Sequence, residues 1–140
     1  MVKLLIGHKG SGKTKKMIEL ANDNVGTAKG SIVFINKNAR LIYDLDYKIR
    51  VICMEDFKHI TNEDEYIGFL FGIMSADSDI ETIYLDGVMR HRDFALDTLP
   101  SFIDKIKIIS EETSIDFVIS ISAELEEMIG VNFDGIEVLN

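Results

Sequence analysis

Gly7-His8-Lys9-Gly10-Ser11-Gly12-Lys13-Thr14 follows an apolar run, Val2 to Ile6, and opens a segment with helical periodicity. A strand, a glycine-rich turn and a helix N-terminus in that order make a cradle for phosphate. Gly7, Gly10 and Gly12 let the backbone turn tightly and bring amide N–H groups close to an anion without side-chain interference. The first helical turn adds N–H groups that have no intrahelical acceptor, and the positive end of its dipole. The spacing G-x-x-x-x-G-K-[ST] is met in full. It lets Lys13 reach the β- and γ-phosphates of a nucleotide and puts the Thr14 hydroxyl where a magnesium ion would sit.

Outward from this stretch, apolar runs and helical stripes alternate. Met17, Ile18, Leu20 and Ala21 form a helix stripe that closes over Asn22 to Gly26. Ile32-Val33-Phe34-Ile35 is a fully apolar strand of the kind that a parallel sheet covered on both faces requires, and it exits into polar Asn36-Lys37-Asn38. A short helix is expected over Ala39 to Tyr47, with Leu41, Ile42 and Leu45 inward and the tyrosines packed in the core. A strand from Ile49 to Met54 follows, exiting into Glu55-Asp56. Glu63 to Ala76 carries Tyr66, Ile67, Leu70, Phe71 and Met74 at helical spacing, with Asn62 or Thr61 as its cap. Thr82 to Leu85 is a β-rich run ending at Asp86-Gly87. A helix is expected within Asp93 to Glu111, with Pro100 starting or bending it. Ile115 to Ile121 is a further strand, Ala123 to Ile129 a short helical piece, and Gly135 to Leu139 a last strand at the sheet edge. The βα alternation predicts an α/β fold: a three-layer αβα sandwich on a mostly parallel sheet of five or six strands.

At 140 residues the chain fits one domain, 1–140, and a single proline suits a compact regular structure. Its one cysteine, Cys53, allows no internal disulfide and reads as a small buried residue in a reducing compartment. Val2 to Ile6 is too short for the core of a signal peptide, and no later run approaches a membrane span, so a soluble cytoplasmic protein is expected. A formal net charge of −9 would repel phosphate backbones at long range, which disfavours generic DNA or RNA binding. It does not argue against a nucleotide, which meets a local cradle rather than the average field.

The eight residues from Gly7 to Thr14 resemble the Walker A loop of P-loop NTPases. The resemblance implies the P-loop fold, Mg2+ and ATP as ligands, and hydrolysis of a nucleoside triphosphate as the activity. Asp86, ending Ile83-Tyr84-Leu85, resembles the Walker B aspartate that holds the metal together with Thr14. Many ATPases of the family carry Glu after that aspartate, but here the position is Gly87. Glu55, or alternatively Asp56, could activate water from a different strand, as in RecA-like members; both also read as solvated turn acids. Ser120 occupies the place of a γ-phosphate sensor, which would imply the RecA-like order with the Ile115 strand between the two Walker strands. The kinase-like order would leave those strands adjacent. Ser122 reads better as a helix N-cap. Arg90 and Arg92, in Met89-Arg90-His91-Arg92-Asp93, are candidates to neutralise a transferring phosphoryl group, or else form a surface ion-pair cluster. No histidine or cysteine spacing supports zinc.

The run Asn38 to Leu45 with Ile49-Arg50 also resembles a group of small Firmicutes ATP-binding proteins, some labelled after the pilus-retraction, twitching-motility ATPases. Asn36-Lys37-Asn38-Ala39 begins like the guanine-reading N-K-x-D signal but has Ala39 in place of the aspartate, which favours ATP over GTP. The leading expectation is a Mg-ATP-binding protein with slow or partner-stimulated hydrolysis, acting on another protein or within a homo-oligomer. Phosphotransfer to a nucleoside or metabolite, and nucleotide sensing without hydrolysis, are the alternatives.

Overall fold

The computed structural model describes residues 1–38, 40, 42–88 and 96–140. Six strands form one parallel sheet: β1 (Val2–Gly7), β2 (Ser31–Asn36), β3 (Arg50–Cys53), β4 (Ile80–Leu85), β5 (Asp116–Ser122) and β6 (Ile136–Val138). Three helices, α1 (Lys13–Val25), α2 (Glu63–Ala76) and α3 (Leu99–Thr113), complete an α/β sandwich of three layers. The sheet order is β3-β2-β4-β5-β1-β6, so β5 lies between β1 and β4.

The continuous apolar runs are explained by where alternate side chains go. Leu5, Ile32, Phe34, Tyr84 and Val118 form one cluster with Met17, Ile18 and Ala21 of α1. Their sequence neighbours Leu4, Ile6, Val33, Ile35, Ile83, Leu85, Phe117 and Ile119 form a second cluster with α2 and α3. A strand with apolar demand on both faces cannot alternate with polar residues, so the pleat stays hidden in the sequence. Phe34 and Tyr84 are direct partners on β2 and β4, and their rings stack at 5.9 Å. On the other face the Tyr66 and Phe102 rings meet edge-on, also at 5.9 Å, joining α2 to α3.

Several boundaries and faces differ from expectation. Among its described residues the β2–β3 connection holds a 3-10 turn, Ile42–Asp44, in place of a helix, and Tyr43 and Tyr47 are 94% and 89% exposed rather than in the core. Ala39 and Leu41 lie outside the described residues. Asp46, whose amide donates to the Asn22 carboxamide, ties this connection to α1 and removes any need for a packed helix there. Met54 starts a 3-10 turn instead of ending β3. In α2 the buried face is Tyr66, Ile67, Leu70 and Ile73, while Phe71 turns outward. A 3-10 turn, Leu96–Thr98, leads into α3, with Pro100 in its first turn; the earlier part of the expected segment, 93–95, lies outside the described residues. The piece after β5 is a 3-10 turn, Leu125–Glu127, closed by a capping box of Glu124 and Glu127, so Ser122 ends β5 and caps nothing. Cys53 is only half-buried; burial first, then the charges of Asp56 and Glu55, push its thiol pKa up. Among the described residues, no helix is long and apolar enough to cross a membrane.

Candidate functional site

Because all six strands are parallel, their carboxyl ends share one rim, which is where open α/β sheets put their ligands. The glycine loop leaves β1 at this rim. Gly10 and Gly12 sit at φ 84° and 87°, in the left-handed region, so their amides turn the chain into the concave form that suits an anion. Gly7 meets a different, milder constraint. A Cβ there would lie 2.6 Å from Ser11 Oγ, which folds back over the start of the loop. The loop closes around Lys13, only 8% exposed, whose Nζ donates to the His8 carbonyl at 2.9 Å and reaches Ser11 Oγ at 3.5 Å.

The start of α1 contrasts with that of α2. Gly12 offers α1 no side-chain cap, and its first turn carries no acid. In α2, Asn62 accepts the Glu65 N–H at 2.9 Å, and Glu63, Asp64 and Glu65 oppose the dipole. Such groups satisfy a helix N-terminus from within the chain; α1 has no side-chain cap and no acid at that end.

Two strands away, Asp86 follows β4 and is 6% exposed. Its amide donates to the Ile35 carbonyl at 2.8 Å, carrying the β2–β4 ladder one step past the strand. Its Oδ1 accepts from Ser120 Oγ at 2.5 Å, and that same hydroxyl accepts the Gly87 N–H at 3.1 Å. Ser120 is 2% exposed, so both bonds lie away from solvent. Ser120 thus grips the carboxylate of Asp86 rather than facing open space. Beneath it, Tyr66 is fully buried; burial, and then the Asp86 charge, hold its phenol far above the usual range.

Thr14 and Asp86 line a single hollow of about 120 Å³ with Asn36, Lys37, Asn38, Arg40 and Gly87. The hollow is smaller than the ~300 Å³ at which small-molecule pockets begin, so it suits a phosphoryl group and a hydrated cation rather than a whole nucleotide. Gly87 stands at φ 77°, a conformation that glutamate would adopt only under strain.

The other candidates are placed apart. Glu55 is exposed on the turn after β3, the edge strand, and β2 separates it from Asp86; only its backbone touches the hollow's wall, donating to the Lys37 carbonyl at 3.0 Å. Asp56 is exposed beside it. His8 points outward, its Nδ1 3.2 Å from Glu124 Oε1, and Lys9 is exposed. Arg90 and Arg92 lie outside the described residues. The sequence assigns Lys37 and Arg40 no place at the site: Asn36 to Asn38 read as a polar strand exit and as an incomplete guanine-reading signal. The available signal was that a polar exit from a strand buried on both faces opens onto the ligand-binding rim. Among the described residues, no group of three or more His, Cys, Asp and Glu could hold a metal ion. No protein-family model matches the chain, and no curated protein matches it.

Proposed function

We propose that the chain is a P-loop nucleotide-binding domain that takes Mg-ATP at the rim between the glycine loop and Asp86. One observation carries this reading. Thr14 and Asp86, from opposite halves of the chain, line the same hollow beside a helix N-terminus that no side chain caps. The phosphate tail lies along the amides from Gly10 to Thr14, with Lys13 leaving the His8 carbonyl to meet the β- and γ-phosphates. Magnesium takes the Thr14 hydroxyl and the Asp86 carboxylate. Two protein oxygens suffice, because this ion keeps several waters and completes its shell with phosphate oxygens. The position of β5 between β1 and β4 supports the RecA-like branch over the kinase-like one.

Hydrolysis is slow or partner-stimulated. Asp86 is the only carboxylate lining the hollow among the described residues, and it is committed to the metal and to Ser120. Binding energy therefore goes into ordering the rim, in the manner of γ-phosphate switches, with a partner protein or a second copy reading the result. The half-buried single cysteine and the lack of any membrane-spanning helix among the described residues fit work in the cytoplasm.

Calorimetry with Mg-ATP tests the proposal. The wild type should release heat on binding, and Lys13→Ala should lose about ten- to a hundredfold in affinity, the weight of hydrogen bonds to a charged group. Equal affinity in the two proteins, or no binding by either, overturns it.

A further inference from the structure

The hollow has a second wall. The sheet order puts β2 on the flank of β4 away from the glycine loop, and the loop leaving β2 brings Lys37 and Arg40 to the hollow. These are its only fixed cations among the described residues. Lys37 is half-buried; its Cβ lies 3.6 Å from where a Gly87 side chain would begin, so its stem rests against the residue that follows Asp86. Its backbone is held from both sides: its N–H donates to Asn36 Oδ1 at 2.6 Å, and its carbonyl accepts the Glu55 N–H at 3.0 Å. The Arg40 N–H donates to Asn38 Oδ1 at 3.0 Å. Both asparagines thus spend their side chains fixing the loop that carries the two charges. These bonds settle the backbone at Lys37 and Arg40, which lowers the cost of bringing their side chains to an anion.

We propose that Lys37 and Arg40 contact the terminal phosphoryl group of the bound nucleotide, so that the site distinguishes a nucleoside triphosphate from a diphosphate. This rests on the nucleotide reading above. The glycine loop and Lys13 hold the inner phosphates, which both nucleotides possess. The hollow beyond Thr14 receives only the terminal group. Lys37 and Arg40 line that hollow together with Thr14 and Asp86, so a diphosphate leaves both cations without the terminal anion.

The test measures affinity for ADP and for the β,γ-imido analogue of ATP, each with magnesium, in the wild type, Lys37→Gln, Arg40→Gln, the double variant and Lys37→Arg. The wild type is expected to prefer the triphosphate analogue. Each single glutamine variant should shrink that preference about tenfold by removing one charge-assisted contact, with ADP affinity unchanged; Lys37→Arg should retain it. Retained ADP binding shows that each variant is folded, and the exposed Arg40 supplies a reading should Lys37→Gln be unstable. Equal losses for both nucleotides, or a preference that survives in the double variant, overturn this inference alone. A wild type that binds neither nucleotide overturns the nucleotide reading and this inference with it.

Discussion

Ser120 both donates to Asp86 and accepts from the Gly87 amide, so deleting its hydroxyl orphans two groups at once. Ser120→Ala should cost about 1–3 kcal/mol of stability, the usual penalty for a buried partner removed, read by denaturant titration. It should also weaken magnesium-dependent nucleotide binding more than magnesium-free binding, because the carboxylate it orients is the one proposed to hold the metal. Tyr66 makes a pH prediction. Its folded pKa is raised, by burial first and then by Asp86. The neutral phenol therefore contributes its full stability below the unfolded value near 10, and that stability is lost as pH rises beyond it, by about 1.4 kcal/mol per pH unit. Tyr66→Phe should flatten this alkaline slope in denaturation curves measured above pH 10. At this scale Thr14 and Asp86, singled out in the sequence by a fixed offset and by a strand end, do line one hollow, beside a buried Lys13. Lys37 and Arg40 were not legible there, since nothing in their own spacing says that β2 would flank β4.

The bounds of α2 depend on local chemistry and were readable, unlike the short helices expected after β2 and β5, where the described residues hold 3-10 turns. Asn62 accepts the Glu65 N–H and donates to Glu65 Oε1 at 2.8 Å, while Thr61 Oγ1 donates to the same oxygen at 3.0 Å. Asn62→Ala should cost about 1 kcal/mol, measured as a lower denaturation midpoint with unchanged slope. The inner face of α2 was harder to read, because Phe71 and Ile73 are both apolar. At about 100° per residue, Ile73 falls nearly in line with Tyr66 and Leu70, whereas Phe71 swings about 100° beyond Leu70. The turn into β2 holds a constraint that the pattern concealed. A Cβ on Gly30 would collide with the Asp79 carbonyl oxygen, and the Glu81 carboxylate takes the N–H groups of both Lys29 and Gly30. Gly30→Ala should destabilise by about 1–3 kcal/mol, the range for overpacking against groups that cannot retreat. Tyr43 and Tyr47 deceived for the opposite reason: aromatic content was read as core, but the connection they sit on is held by hydrogen bonds to Asn22.

For the molecule as a whole, the α/β class followed from alternation of strand and helix signals, but the strand order did not. Each β–α–β step specifies a parallel return without saying which neighbour the strand joins; that is decided by packing among segments distant in sequence. The fold then couples ligand to stability, because the hollow exists only when β1, β4 and β2 are assembled. Mg-ATP at a hundred times its dissociation constant should stabilise by about 2.7 kcal/mol and raise the melting temperature by about 5–10 °C in a thermal scan. Lys13→Ala, about ten- to a hundredfold weaker, should gain only about 0.4–1.4 kcal/mol at the same ligand concentration and show a correspondingly smaller rise.

The strand between β1 and β4 also sets a dimension. With neighbouring strands about 4.8 Å apart, β5 holds the loop-bearing strand and the acid-bearing strand roughly 9.6 Å from one another. That separation acts as a fixed jaw width: a larger divalent ion could not be accommodated by closing or opening a hinge, only by deforming a sheet buttressed on both sides. On the proposed reading calcium, with its longer bonds and greater coordination number, should therefore bind less tightly than magnesium in a competitive titration, and the strand that sets the width reaches Asp86 through Ser120.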